Sequence, residues 1–191
     1  MINKSIVLMG CKHCGKSTHG KTLAAKLGVP FYDTDYAIEK ITGMSYRDFY
    51  LNKGPTAFMQ MEEKVCEKLV EQCKDKQVVI ATGGGICDNP PALSHLRKFD
   101  RFVFLELDIN YSVERILSKI IITEDGKILN APAYILPLKP KTMNEIKNIL
   151  MEKYTTRFET YRQISDITVQ MKNAPKEENF KLLLGALDKK Q

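Results

Sequence analysis

Eight residues near the start of the chain, Gly10-Cys11-Lys12-His13-Cys14-Gly15-Lys16-Ser17, follow the pattern G-x-x-x-x-G-K-[ST]. The run before them, residues 5–9 (SIVLM), is short, apolar and rich in strand formers. After them, residues 16–27 carry Leu23, Ala24 and Leu27 on one helical face, and Gly28 stops the helix. A strand, a glycine turn and a helix in that order constrain the fold strongly. The turn must lie at a strand's carboxyl end, where its backbone N–H groups and the helix N-terminus make an anion site. Closely spaced phosphate oxygens suit such a cradle. Lys16 is then positioned to bridge the β- and γ-phosphates of ATP, and the Ser17 hydroxyl to hold Mg2+. The plainer alternative is a βα turn that matches the pattern by chance.

Further along, strand and helix patterns alternate. Strands are expected at residues 30–32, 77–81, 101–107 and 167–170, in addition to 5–9. Helices are expected at 36–42, 45–52, 56–73, 91–99, 111–119, 143–163 and 177–189, with 123–140 irregular. Alternation of this kind implies an α/β fold: a five-stranded parallel sheet with helices on both faces, in three layers. Ligands of such sheets sit at the strands' carboxyl ends. Three features fall there: Gly10 after the first strand, Asp33 and Asp35 after the second, and Gly83, Gly84 and Gly85 after the third. On an extended segment Asp33 and Asp35 face the same way, so one carboxylate can serve Mg2+ and the other a substrate hydroxyl. A turn residue and a helix cap are the alternative for this pair. The glycine triple permits close backbone approach by a ligand, or is simply a flexible turn.

Length, charge and cysteines narrow the classes. At 191 residues the chain is expected to be one domain, 1–191. No apolar run approaches the ~18 residues of a membrane span, and residues 1–4 lead directly into the first strand, so no membrane association and no targeting signal are expected. The net charge of +6 admits nucleic acid, but the lysines are scattered, and polyanionic substrates explain the balance better. Five cysteines, an odd number, read as reduced thiols of a cytoplasmic protein. Cys11 and Cys14 have formal metal spacing but no second pair to complete a zinc site.

Taken together, the loop 10–17 with Thr18, Asp33-Thr34-Asp35, the Gly54, Phe58 and Glu62 stretch, the glycine triple, and Arg157 with Tyr161 make the chain resemble the shikimate kinase family. The resemblance covers nearly the whole chain. It implies a nucleoside-monophosphate-kinase-like P-loop fold with a substrate-binding segment at about 33–62 and a mobile lid at about 120–140. It further implies ATP and Mg2+, and a small-molecule acceptor such as shikimate. By resemblance, Asp33 helps hold Mg2+ together with Ser17. Asp35 binds the acceptor's hydroxyls and acts as base. Gly83, Gly84, Gly85 and Arg157 contact the acceptor. Residues 10–18, Arg115 and Lys172 lie on the ATP side.

Two positions depart from the family pattern. Met59 stands where an arginine follows the phenylalanine, and Ala131 stands where an arginine precedes a lid proline. Loss of one cationic fork weakens carboxylate binding by roughly ten- to a hundred-fold unless another cation substitutes. Lys127 or a neighbouring lid lysine, and Arg47 beside Arg157, are the expected substitutes. The expectation is therefore a monomeric shikimate kinase. Its alternatives are a kinase of the same fold acting on another small hydroxyl compound, and a weakly catalytic nucleotide sensor.

Overall fold

The computed structural model describes residues 4–189; Met1, Ile2 and Asn3 of the start, and Lys190 and Gln191 of the end, lie outside the described residues. The strands are β1 (Ile6–Met9), β2 (Phe31–Asp33), β3 (Val79–Ala81), β4 (Arg101–Leu107), β5 (Ile121–Ile122), β6 (Ile128–Leu129) and β7 (Ile167–Met171). Five of them form a parallel sheet in the order β2-β3-β1-β4-β7, while β5 and β6 make a separate antiparallel hairpin. The helices are α1 (Lys16–Leu27), α2 (Thr34–Thr42), α3 (Tyr46–Gln72), α4 (Pro90–Leu96), α5 (Ile109–Leu117), α6 (Met143–Ile164) and α7 (Lys176–Asp188).

The alternation of side chains along each strand divides the core into two layers. Ile6, Leu8, Val79, Val103 and Leu105 face Leu23 of α1 and Leu183 and Leu187 of α7. Val7, Met9, Ile80, Phe102 and Phe104 face the other side, against Val65 of α3, Leu96 of α4, Ile116 of α5 and Phe158 and Tyr161 of α6. Every residue of β1 and β4 is buried, as strands covered on both faces must be. Burial of each large side chain is worth roughly 1.5–3 kcal/mol, and Phe104 gains further from its ring contacts with Phe158 and Tyr161 at 5.3 and 5.1 Å. At the sheet edge, β7 departs from the expected two-sided burial: Thr168 and Gln170 point to solvent.

The break expected between the helices 45–52 and 56–73 is present: α3 is two helical segments meeting at a sharp kink at Gly54 (φ 81°, ψ 172°), followed by Pro55, and two other local expectations are corrected. Glycine supplies the positive φ, and proline needs no N–H partner at the turn. Asp35 does not continue an extended segment but lies in the first turn of α2. Residues 123–140 are more ordered than expected, with the β5–β6 hairpin followed by a 3-10 helix over Ala133–Leu138.

Candidate active site

Polar pins set the carboxyl edge of the sheet. Thr82 donates from both its backbone N–H (3.1 Å) and its hydroxyl (3.2 Å) to the Leu8 carbonyl, so β3 and β1 end in step. The Gly83 N–H donates to the buried Thr34 hydroxyl at 2.9 Å, which ties the glycine triple to the start of α2. The short segments that carry the loop, the aspartates and the glycines therefore converge.

In the loop, Gly10 (φ 143°) and Gly15 (φ 98°) hold backbone angles that a side chain would strain. Lys16 is buried; its ammonium donates to the Gly10 and Cys11 carbonyls at 2.8 and 2.9 Å and lies 3.8 Å from the Cys14 sulfur. Ser17 and Thr18 are exposed at the helix start. The Ser17 hydroxyl donates to Asp33 Oδ2 at 2.6 Å. Asp33 Oδ1 accepts the Asp35 and Tyr36 N–H groups, so this residue also caps α2. The helix-cap reading of Asp33 is the one these contacts bear out. The thiols of Cys11 and Cys14 are buried and free, and among the described residues no group of three or more His, Cys, Asp or Glu gathers as a metal site. His19 is buried and stacked on Phe180.

Lys16, Ser17, Thr18, Asp33, Asp35, Gly83, Gly84, Gly85 and Arg157 all line one cavity of about 850 Å³. Lys12, His13 and Gly15 line it too. Gly10, Cys11 and Cys14 belong to the loop but are not among the residues lining the cavity. Burial, with Asp33 close by, pushes the Asp35 carboxyl up to about 6 against the pull of Lys16. Glu62 is buried beside it and is pushed up by burial to about 7, although Asn89 donates to it at 2.9 Å. Partial burial and the surrounding cations pull His13 down to about 4. It is neutral near pH 7, and the positive charge at the loop comes from lysine and arginine.

The glycine triple is packed closely against other parts of the protein. A Cβ on Gly83 would lie 2.7 Å from Asp35 Oδ1, one on Gly84 2.9 Å from the Lys12 nitrogen, and one on Gly85 2.8 Å from Arg157 Nη2. Beside the triple, Arg157 is buried and donates to Asp88 through Nε (3.2 Å) and Nη2 (2.8 Å), and to the Gly84 carbonyl through Nη1 (3.2 Å). Arg115 and Lys172 do not line the cavity. Arg115 donates to the His13 carbonyl (3.2 Å) and to Asn173 (3.0 Å), behind the loop, and Lys172 pairs with Glu178 (3.2 Å).

The two departures are also visible. Met59 lines the cavity, and its carbonyl accepts from Asn89 at 2.9 Å. Ala131 is buried, and its carbonyl is held by Arg47, so Arg47 braces the segment after the hairpin. Lys127 pairs with Asp125 at 2.6 Å on the exposed hairpin and is not among the cavity residues, contrary to its expected role. Lys139 and Lys141 are likewise absent from the cavity wall. Sequence reading missed Asp88 and Lys153, which contact each other at 2.9 Å. Lys153 had a signal, since it stands one helical turn before Arg157; Asp88 had none.

This strand order, with a glycine loop at its carboxyl edge, is that of P-loop phosphotransferases. Comparison with known proteins narrows the class. A profile of the shikimate kinase family matches residues 12–188. The shikimate kinase of Aquifex aeolicus is 32% identical over 180 residues, covering 94% of each chain. Its crystal structure superposes with a TM-score of 0.69 over 96% of each chain. The structure of the Acinetobacter baumannii shikimate kinase in complex with shikimate is 24% identical, with a TM-score of 0.76 over 98% of this chain and 94% of that one, and shares the fold. The chain belongs to the shikimate kinase family.

Proposed function

We propose that this chain transfers the γ-phosphoryl group of ATP to a hydroxyl of shikimate, as a cytoplasmic monomer that engages neither nucleic acid nor membrane. The observation that carries this reading is that Lys16 and Asp35 line one cavity together with the glycine triple and Arg157. ATP phosphates accept from the loop N–H groups of residues 10–18, and Arg115 and Lys172 border the nucleotide's other end. On ATP binding the Lys16 ammonium exchanges the Gly10 and Cys11 carbonyls for phosphate oxygens.

Ser17 and Asp33 fit Mg2+, because a hydroxyl and a carboxylate oxygen already touch there, and magnesium takes few protein ligands beside water and substrate phosphate. A Mg2+ ion held by Ser17 and Asp33 would supply positive charge to the phosphates during transfer. Asp35 accepts the proton of the attacking hydroxyl, and Gly83, Gly84 and Gly85 let the acceptor lie against the backbone. The lid at about 120–140 excludes water, so that the phosphoryl group reaches the acceptor rather than solvent.

One contact favours a second reading. Every nitrogen of the Arg157 fork is already engaged, by Asp88 and Gly84, and Met59 makes the facing wall apolar. An uncharged hydroxyl compound would leave those contacts undisturbed. ADP release coupled to NADH oxidation, with shikimate against a panel of polyols and nucleosides, tests both. The expected result is turnover that depends on shikimate. Turnover with an uncharged acceptor and none with shikimate refutes the main reading, and Mg-ATP binding without any turnover favours a nucleotide sensor.

A further inference from the structure

Asp88 Oδ2 accepts three donors from two cations on one helix: Arg157 Nε at 3.2 Å, Arg157 Nη2 at 2.8 Å and Lys153 Nζ at 2.9 Å. Lys153 and Arg157 are four apart on α6, so they project from the same face, and both line the cavity. One carboxylate thus stands against two positive charges, and a unit of positive charge is left over at this end. The two cations differ in freedom. The Arg157 side chain is 9% exposed, and its plane is fixed by the Gly84 carbonyl and by the Tyr134 ring 5.1 Å away. The Lys153 side chain is 38% exposed and ends on Asp88 alone.

Asp35 and the buried Glu62 stand beside Gly83, with Lys12 and Lys16 also acting on Asp35, and Pro55, Phe58 and Met59 add an apolar lining. A ring bearing a carboxylate at one side and hydroxyls at the other fits with its carboxylate toward the cations of α6 and its hydroxyls toward Asp35.

We infer that Lys153 is a further cation for the acceptor's carboxylate beside Arg157, with Asp88 as the positioning residue that keeps the two cations side by side while the subsite is empty. The inference deepens the reading of the acceptor as shikimate and rests on it. On binding, the mobile ammonium of Lys153 swings from Asp88 to the incoming carboxylate, and Arg157 shares its outer edge between the two. The excess positive charge left by Asp88 is what makes a second carboxylate welcome. A cation one helical turn from Arg157 thereby stands in for the fork that Met59 does not supply.

The test compares shikimate with its uncharged methyl ester as acceptors for the wild-type chain, Lys153→Met and Asp88→Asn. For Lys153→Met the KM for shikimate is expected to rise about tenfold, the loss of one charge-assisted contact. Its kcat, its KM for ATP and its KM for the ester are expected to stay within about twofold of wild type. Asp88→Asn removes the competing carboxylate, so its KM for shikimate should fall several-fold while that for the ester does not. A Lys153→Met variant with an unchanged KM for shikimate, or with equal increases for shikimate and ester, overturns the inference and leaves the shikimate reading standing. So does an Asp88→Asn variant whose KM rises equally for both. A wild-type chain that phosphorylates neither compound overturns the acceptor reading, and this inference with it.

Discussion

Substituting Gly84 by alanine adds one methyl group where the glycine turn meets the backbone of the phosphate loop. The new Cβ would lie 2.9 Å from the Lys12 nitrogen and 3.4 Å from Cys11 C and Lys12 Cα, all of them backbone atoms. Comfortable carbon contacts begin at about 3.5 Å, so the glycine turn and the phosphate loop must separate by roughly 0.6 Å. Neither side gives easily. Gly10 backs onto the Leu105 carbonyl and the Cys14 sulfur, Gly15 sits against His19, and Gly83 is tethered to Thr34. Overpacking of this kind costs about 1–3 kcal/mol. A displacement near 1 Å between reacting groups costs about a hundredfold in rate, so kcat/KM should fall by roughly ten- to a hundred-fold. Gly185→Ala in α7 is the control, because a Cβ there meets nothing within 4 Å. It should retain full activity and gain about 0.5–1 kcal/mol, a Tm increase of a few degrees. Coupled ADP release and thermal unfolding of both variants measure this. If Gly84→Ala keeps kcat/KM within twofold of the control, the turn and loop are not in the tight contact from which the magnitude was worked.

The remaining predictions concern single side chains. Lys16→Met leaves the Gly10 and Cys11 carbonyls without their donor and removes the charge beside the phosphates, so turnover should fall by at least about a hundredfold with the fold retained by circular dichroism. Asp35→Asn should lower kcat by roughly 10²–10⁴ while the ATP Kd, measured by calorimetry, stays within about twofold. Glu62 has its carboxyl raised from the ordinary 4.5 to about 7, so between those values the folded chain keeps a proton that the unfolded chain releases. Its contribution is fully present below pH 4.5 and is lost as pH rises through about 7, so Glu62→Gln should show a Tm advantage over wild type that grows from pH 5 to pH 8; parallel Tm curves would refute this. Arg115→Ala frees the His13 carbonyl and Asn173, so the KM for ATP should rise several-fold with little change in the acceptor KM, as read from initial rates.

The loop, the sheet and the convergence of aspartates and glycines were legible because each depends on residues close in sequence. Gly10 and Gly15 follow from local backbone need, and β4 from seven consecutive buried residues. Asp35 was assigned to the right cavity through wrong geometry. Its reach comes not from strand alternation but from the first turn of α2, once the Thr34 hydroxyl has tied that turn to Gly83. The cations were harder to read. Lys127 looked available but is taken by Asp125 two residues away, whereas Arg47 crosses 84 residues to the Ala131 carbonyl. Asp88 gave no local sign of its role, since its importance lies in two partners on a helix more than sixty residues distant. Long-range pairing of charges depends on how the layers pack, and composition and periodicity carry no record of it.

The shared cleft is tested most directly by a crystal structure with ADP, Mg2+ and shikimate bound together. The account predicts the β-phosphate on the N–H groups of residues 10–18, a shikimate hydroxyl within about 2.6–3.2 Å of the Asp35 carboxylate, and the shikimate carboxylate against α6. Nucleotide and acceptor on separate faces, or an acceptor whose hydroxyls turn away from Asp35, would contradict it.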